Sequence, residues 1–222
     1  MTSSFDHFPQ AVLFDWDNTL VDTTRGCYHA INTVLSAFGK KTYTFEEFVD
    51  SPSISVRSYF QEIFDPHEYD EAQKLFSHHA ERLSASPFTY SYPLLNWLKA
   101  VGVPMAVVSN KEGGLLRREI DKLGWSDYFY CAVGSYDTHE DKPSPFPLLH
   151  ALSQKPLNPG PSIWFVGDSI VDMTCAHKAG CTPVSVGEQA NTHPHSFINA
   201  VDCKVLLDLL QKRYYDHRPR KT

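Results

Sequence analysis

A chain of 222 residues is long enough for one large domain, or for a core domain that carries a smaller insertion. An apolar fraction of 42% and a charged fraction of 21% are ordinary for a globular protein and exclude disordered and fibrous classes. The net charge of −6 argues against a nucleic-acid partner, and the lack of a run of about 18 apolar residues argues against a membrane partner.

The N-terminal residues MTSSFDHFPQ lack the basic and apolar segments of a secretory leader, so the chain is expected to be cytoplasmic. The five cysteines are scattered without the CxxC spacing of a zinc site, and we expect them to be reduced and mostly buried. The basic segment from Lys212 to Thr222 is expected to form a solvated tail.

The first apolar run, residues 11–14, predicts a strand buried on both faces of a parallel sheet. No strand run follows in residues 22–88. Apolar positions there recur at helical spacing from Cys27 to Phe38, and Thr44 with Glu47 fits a capping box. Further helices are predicted over residues 53–64 and 65–85. This segment therefore predicts an all-helical insertion directly after the first strand.

The rest of the chain alternates between apolar runs and helical patterns. Strands are predicted at residues 103–109, 162–168 and 181–187, and helices at residues 92–102, 114–124, 146–154 and 169–180. This alternation predicts βαβ units. We therefore expect an α/β fold: a doubly wound, Rossmann-like parallel sheet in residues 1–21 and 89–222, with a small all-helical domain in residues 22–88.

Polar side chains end three of the predicted strands. Asp15 and Asp17 follow the first strand, Ser109 and Asn110 end the second, and Asp168 ends the third. Because ligands bind beyond the carboxyl ends of the strands in an open parallel sheet, these residues are expected to converge on one edge.

The chemistry of this edge favours a divalent cation. Carboxylates held together without arginine partners repel one another, and a bound cation relieves that repulsion. Oxygen donors without His or Cys point to Mg²⁺ and away from zinc. Magnesium in turn favours a phosphorylated substrate, for which Lys142 is the natural counter-cation and Ser109 a hydrogen-bond donor.

Four motifs in this order, DWDNT, VSNK, the lysine of DKPSP and GDSIVD, resemble those of the haloacid dehalogenase superfamily. The resemblance covers essentially the whole chain. The helical insertion resembles the mobile cap of the phosphoglycolate phosphatase-like members. The family resemblance implies a Mg²⁺-dependent hydrolase with an α/β core, a helical cap and a small phosphorylated metabolite as substrate.

The resemblance also implies roles for individual residues. Asp15 would be the nucleophile that forms an aspartyl-phosphate, and Asp17 the general acid and base. Mg²⁺ would be held by Asp15, the backbone carbonyl of Asp17 and Asp168, with Asp172 as a direct ligand or as a partner of the ligands. Retention of Asp17 favours phosphate esters over haloacids, because a halide leaves without a proton.

The phosphoryl group would be bound by Lys142 and Ser109, with Asn110 beside them. Asn18 is expected among the substrate-binding residues of this loop. It stands where the family usually has glycine, and because Asn tolerates positive φ we expect the loop to keep its shape. Trp16 replaces a commonly aliphatic residue; its backbone N–H is expected to face the phosphate while its ring packs locally or screens the site. In the cap, Arg57 is a candidate for binding a second anionic group of the substrate.

Three functions stay open from the sequence. The first is a phosphatase acting on a small phosphomonoester, either phosphoglycolate-like or a sugar phosphate. The second is a phosphotransferase of the phosphosugar mutase kind, which shares the core motifs and differs in the cap. The third is a non-catalytic binding protein on the same scaffold, although none of the expected acidic residues is missing. A monomer or a homodimer is expected.

Overall fold

The structure, a computed structural model, describes residues 8–51, 54–82, 85–187 and 190–216. Its strands are β1 (Ala11–Phe14), β2 (Val21–Asp22), β3 (Ser86–Pro87), β4 (Met105–Glu112), β5 (Ala132–Ser135), β6 (Ile163–Gly167), β7 (Thr182–Val186) and β8 (Ile198–Ala200). Its helices are α1 (Thr24–Ala37), α2 (Phe45–Val49), α3 (Val56–Ile63), α4 (Tyr69–Ala80), α5 (Ser91–Ala100), α6 (Gly113–Lys122), α7 (Phe146–Ser153), α8 (Ile170–Lys178) and α9 (Cys203–Asp216).

Six strands form one parallel sheet in the order β5-β4-β1-β6-β7-β8. The strand β1, buried at every position, lies between β4 and β6, so the loop that follows it is flanked by the ends of both neighbours. The four strands predicted from apolar runs are all present. The edge strand β5 and the three-residue β8 were not predicted, because short edge strands carry too few buried side chains for a periodic signal.

Helices cover both faces of this sheet. Leucines of α5 and α9 pack with Val12 and Phe14 of β1 on one face. On the other face, Leu13 packs with apolar residues of α7 and α8. Successive β1 side chains point to opposite faces and both faces are covered, so the predicted doubly wound α/β fold is confirmed.

Helices α1 to α4 pack around a separate apolar cluster, which Leu115 of α6 also joins. Its buried members include Ile31, Val34, Phe60 and Phe76. The predicted capping box is present at the start of α2: the Glu47 N–H donates to the Thr44 hydroxyl, and the Thr44 N–H donates to the Glu47 carboxylate. The division into a cap at residues 22–88 and a core of residues 1–21 and 89–222 stays a prediction.

The expectation that residues 22–88 hold no strand is wrong at both ends. The strands β2 and β3 form a two-residue antiparallel pair where the chain leaves and re-enters the core. Two residues are too few to leave a pattern in the sequence. The pair ties the two connecting segments together.

The predicted solvated tail is also wrong in part. The described helix α9 continues to Asp216, so Lys212 belongs to a helix packed on the sheet, and residues beyond 216 lie outside the described part. All five cysteines are free, as expected. None of the described helices combines the length and the apolar character that a membrane span needs.

Candidate active site

The loop after β1 turns sharply at the carboxyl edge of the sheet. The backbone N–H of Asp15 donates to the carbonyl of Val166, which continues the pairing with β6 for one more residue. The carbonyl of Trp16 then accepts from the N–H groups of Leu20 and Val21. Asn18 adopts φ of 58°, and its side chain accepts a bond from Thr24. The expected left-handed conformation is therefore present at this position.

Asp15 forms a buried ion pair with Lys142. The Lys142 Nζ lies 2.5 Å from Asp15 Oδ1 and 2.7 Å from Asp172 Oδ1, and both side chains of the first pair are almost fully buried. Burial raises the pKa of Asp15 to about 7, against the opposing effect of Lys142. Burial lowers the pKa of Lys142, but the two carboxylates have the larger, opposite effect. The pKa of the Lys142 ammonium therefore lies well above its usual range.

Three carboxylates share this edge: oxygens of Asp15, Asp168 and Asp172 all lie within 4.8 Å of one another. The Thr19 hydroxyl lies 3.3 Å from Asp15 Oδ2 and 3.4 Å from Asp168 Oδ1, and so bridges two of them. Burial, reinforced by Asp172 and Asp15, raises the pKa of Asp168. When all three acids are ionised, as a bound cation would require, the one ammonium of Lys142 leaves two negative charges without a partner. This excess and the oxygen-only donor set fit Mg²⁺.

Asp172 reaches the cluster because α8 begins immediately after β6. Its carboxylate closes a capping box with Ser169, and the neighbouring Gly167 leaves room for the side chain. Lys142 is anchored through its backbone: Asn110 donates to the Lys142 carbonyl at 3.0 Å and accepts from its N–H at 2.9 Å. Asn110 therefore fixes the backbone that carries Lys142, and its predicted contact with substrate stays a prediction.

The side chain of Asp17 lies outside the acid cluster and has its own partners. Asp17 Oδ1 accepts from the Thr23 hydroxyl at 2.5 Å and from Lys111 Nζ at 2.7 Å. Lys111 also binds both oxygens of the buried Glu119, at 2.9 and 2.7 Å. Burial raises the pKa of Glu119, and Lys111 opposes that effect. The predicted ligand role of Asp17 concerns its backbone carbonyl and stays a prediction.

The ring of Trp16 points away from the edge. It is fully buried, donates from Nε1 to Glu119 Oε2 at 2.8 Å and packs edge-on against Trp125. Of the two expected alternatives for the ring, local packing is the one present. The expected contact of Trp16 with substrate concerns its backbone N–H, and it stays a prediction.

Ser109 lies in the central sheet, whereas Arg57 lies in helix α3. Ser109 is buried in β4, two residues after Val107, the register partner of Phe14 in β1, and its hydroxyl accepts from the Lys111 N–H. Arg57 lies in the helical insertion. Arg57, Gln61 and Lys142 contribute to the lining of a cavity of about 500 Å³.

The contacts of Arg57 reach the loop that leads to Lys142. Its guanidinium donates to the Thr138 carbonyl, lies 3.8 Å from Asp141 Oδ1 and stacks 4.9 Å from the Tyr136 ring centroid. Arg57 therefore joins the helical insertion to the core. Its predicted contact with a second anionic group stays a prediction.

Four residues of this region were missed by the sequence reasoning: Thr19, Lys111, Glu119 and His193. Glu119 carried a usable signal, because it interrupts the apolar stripe of α6 that Leu115 and Leu116 begin. Thr19 and Lys111 stand inside the quoted motifs. The ring of His193, which lies 2.7 Å from the Asp168 carbonyl oxygen, gave no such signal.

Comparison with known proteins places the chain in a family. Residues 12–186 match the model of the haloacid dehalogenase-like hydrolases. A phosphoglycolate phosphatase of Neisseria meningitidis is 31% identical over 197 residues, which cover 84% of this chain and 83% of the relative.

Solved structures agree with this assignment. A HAD-superfamily hydrolase from Ehrlichia chaffeensis is 30% identical and has a TM-score of 0.66. The match covers 94% of this chain and 98% of the Ehrlichia chain. A β-phosphoglucomutase from Clostridium difficile has a TM-score of 0.80 at 16% identity, and the match covers 94% of this chain and 98% of the mutase chain. At this identity the similarity shows a shared fold alone. The chain belongs to the haloacid dehalogenase-like hydrolase family, and it is similar to phosphoglycolate phosphatases within it.

Proposed function

We propose that the protein is a Mg²⁺-dependent phosphatase that hydrolyses a small phosphomonoester through an aspartyl-phosphate on Asp15. The observation that supports this proposal most directly is the position of Asp15. Its carboxylate pairs with the Lys142 ammonium and also belongs to the acid cluster with Asp168 and Asp172. A nucleophile, a counter-cation and a set of oxygen donors for a divalent ion thus meet at one strand end.

Asp15, Asp168 and the carbonyl of Asp17 would hold Mg²⁺, with Asp172 beside them, and the bound ion would offset the charge of the phosphoryl group. Asp15 attacks phosphorus while the ester oxygen leaves, and Asp17 gives that oxygen its proton. Asp17 then takes a proton from water as the water attacks phosphorus. Phosphate is released and Asp15 returns as a free carboxylate.

Lys142 serves both halves of this reaction. Before substrate binds, its ammonium offsets the charge of Asp15, and in the reaction it binds a phosphoryl oxygen together with the Ser109 hydroxyl. The two carboxylates that raise the pKa of Lys142 keep it protonated at any physiological pH. A permanently charged group therefore faces the charge that develops on phosphorus.

The substrate class follows from the space available and from the relatives. Lys142 and Arg57 line a cavity of about 500 Å³ that lies beside the acid cluster and does not include its carboxylates. A small metabolite bound there would meet Lys142 with its phosphoryl group, and Arg57 is a cation suited to a second anionic group. The similarity to phosphoglycolate phosphatases supports a small phosphorylated acid, and a sugar phosphate fits the same space.

A phosphate-release screen tests the proposal. Purified protein with Mg²⁺ is assayed against phosphoglycolate, sugar phosphates and nucleotides, with a chelator control and Asp15→Asn in parallel. Release from a small phosphomonoester that the chelator and Asp15→Asn both abolish supports the proposal. No release from any compound contradicts it. Conversion of a sugar phosphate to an isomer, seen by NMR without free phosphate, would assign the mutase reaction instead.

A further inference from the structure

We propose that Lys111 is a positioning residue for Asp17, held in place for that task by Glu119 and Trp16. This inference rests on the proposed function, in which Asp17 protonates the leaving group. A general acid contributes only when its proton-bearing oxygen is aimed at the leaving atom. The side chains that aim Asp17 are therefore part of what makes the site work.

The contacts select one oxygen of Asp17. Both donors, the Lys111 ammonium at 2.7 Å and the Thr23 hydroxyl at 2.5 Å, use Oδ1. Two donors occupy the two lone pairs of a carboxyl oxygen, so a proton bound to Asp17 resides on Oδ2. The side chain of Asp17 stays 26% exposed, which leaves this carboxylate open to the substrate.

The support behind Lys111 is rigid. Its side chain is 7% exposed and that of Glu119 is 8% exposed, and Lys111 binds both Glu119 oxygens. Trp16 donates from its indole to Glu119 Oε2, which gives this oxygen two donors. Charged side chains buried in this way keep one geometry, because moving any of them would leave an uncompensated buried charge.

The two donors to Asp17 come from different parts of the chain. Thr23 precedes α1 at the start of the helical insertion, whereas Lys111 lies in β4 of the central sheet. A movement of the insertion would carry Thr23 with it. Lys111 would stay, so the sheet holds Asp17 in position in any arrangement of the insertion.

A structural role and a positioning role differ in their dependence on the leaving group. An alkyl alcohol must be protonated as it leaves, whereas dinitrophenolate leaves without help. The ratio kcat/KM reports only the steps up to formation of the aspartyl-phosphate, so it excludes the later hydrolysis common to all esters. A loss confined to poor leaving groups therefore identifies a defect in the general acid.

The test measures kcat/KM for alkyl, phenyl, nitrophenyl and dinitrophenyl phosphates with Mg²⁺. Lys111→Met is expected to lower kcat/KM for the alkyl ester by on the order of 100-fold and to change that for dinitrophenyl phosphate by less than about threefold. Trp16→Phe, which removes the indole donor and part of the ring but no charge, is expected to act in the same direction by several fold. Trp164→Phe is the matched control, because Trp164 is a buried tryptophan of the same apolar cluster. It is expected to leave kcat/KM unchanged for the alkyl ester and for dinitrophenyl phosphate.

Each outcome decides between the explanations. Equal losses for all esters, or no change in Trp16→Phe, overturn the positioning role while the phosphatase stands. If Lys111→Met does not fold, Trp16→Phe alone carries the test, because it leaves the charges in place. If the wild-type protein releases no phosphate from any ester, the proposed function is wrong and this inference falls with it.

Discussion

Gly167 and Asp172 lie so close that a Cβ atom added at position 167 would stand 2.4 Å from the Cβ of Asp172. The end of β6 therefore admits no side chain if Asp172 is to keep its bonds to Lys142 and Ser169. The close approach of strand and helix is what brings the third carboxylate to the acid cluster.

Gly167→Ala is expected to displace Asp172, to destabilise the protein by about 1–3 kcal/mol and to weaken Mg²⁺ binding. Denaturant unfolding and calorimetric titration with Mg²⁺ measure the two effects. Gly160→Ala is the matched control, since an added Cβ there meets no atom within 4 Å. Unchanged stability and Mg²⁺ affinity in Gly167→Ala would show that the strand end tolerates a side chain.

Lys142→Met is expected to abolish turnover while Mg²⁺ binding persists. Its loss leaves Asp15 and Asp172 without their ammonium, which costs about 3–5 kcal/mol in the metal-free protein. The added negative charge favours a divalent cation, so Mg²⁺ should raise the melting temperature at least as much as in the wild type. Lys204→Met, which removes an exposed ion pair with Asp208, is the control. Turnover at wild-type rate would contradict the role of Lys142.

Mg²⁺ binding is expected to release protons near neutral pH. Burial raises the pKa of Asp15 to about 7 and also raises the pKa of Asp168. In the metal-free protein at pH 7, these two carboxyl groups are therefore partly protonated. A cation must displace these protons, and its affinity falls as the pH drops below about 7. Calorimetry in buffers of different ionisation enthalpy counts the protons, and Asp15→Asn should lower the count. Binding without proton release at pH about 6 to 7 would contradict the raised pKa values.

Arg57→Gln is expected to raise KM about tenfold or more for a phosphomonoester with a second anionic group, with a smaller effect on one without. The guanidinium lies in the cavity wall, where it donates to the Thr138 carbonyl and pairs with Asp141. Steady-state kinetics on phosphoglycolate and on an alkyl phosphate without a second anionic group measure the difference. Arg117→Gln is the control, because Arg117 also binds a carbonyl and a carboxylate but lies outside the cavity wall. Equal effects on both substrates would leave Arg57 a purely structural link.

The central strands and the acidic residues could be predicted because their signals are local. The run at residues 11–14 is buried on both faces, and an acidic residue directly after such a run must lie at the sheet edge. The edge strand β5 has only four residues and a glycine, too little for a periodic pattern.

The partners of Asp17 could not be predicted because they depend on tertiary contacts. Trp16 and Glu119 are 103 positions apart, and only the packing of α6 against the loop after β1 brings them together. In the sequence, Glu119 stands out only as a charge within the apolar stripe of α6, and that signal does not identify its partners. Its burial, which makes it informative, is a property of the folded chain.

The central claim is that Asp15 carries the phosphoryl group. A rapidly acid-quenched mixture of enzyme, Mg²⁺ and substrate is treated with borohydride, which reduces an acyl phosphate to an alcohol, and the peptides are analysed by mass spectrometry. We predict the reduced side chain at position 15, dependent on substrate and lost in Asp15→Asn. Phosphate release with no reduced side chain at position 15, or with one at another aspartate, would contradict the account.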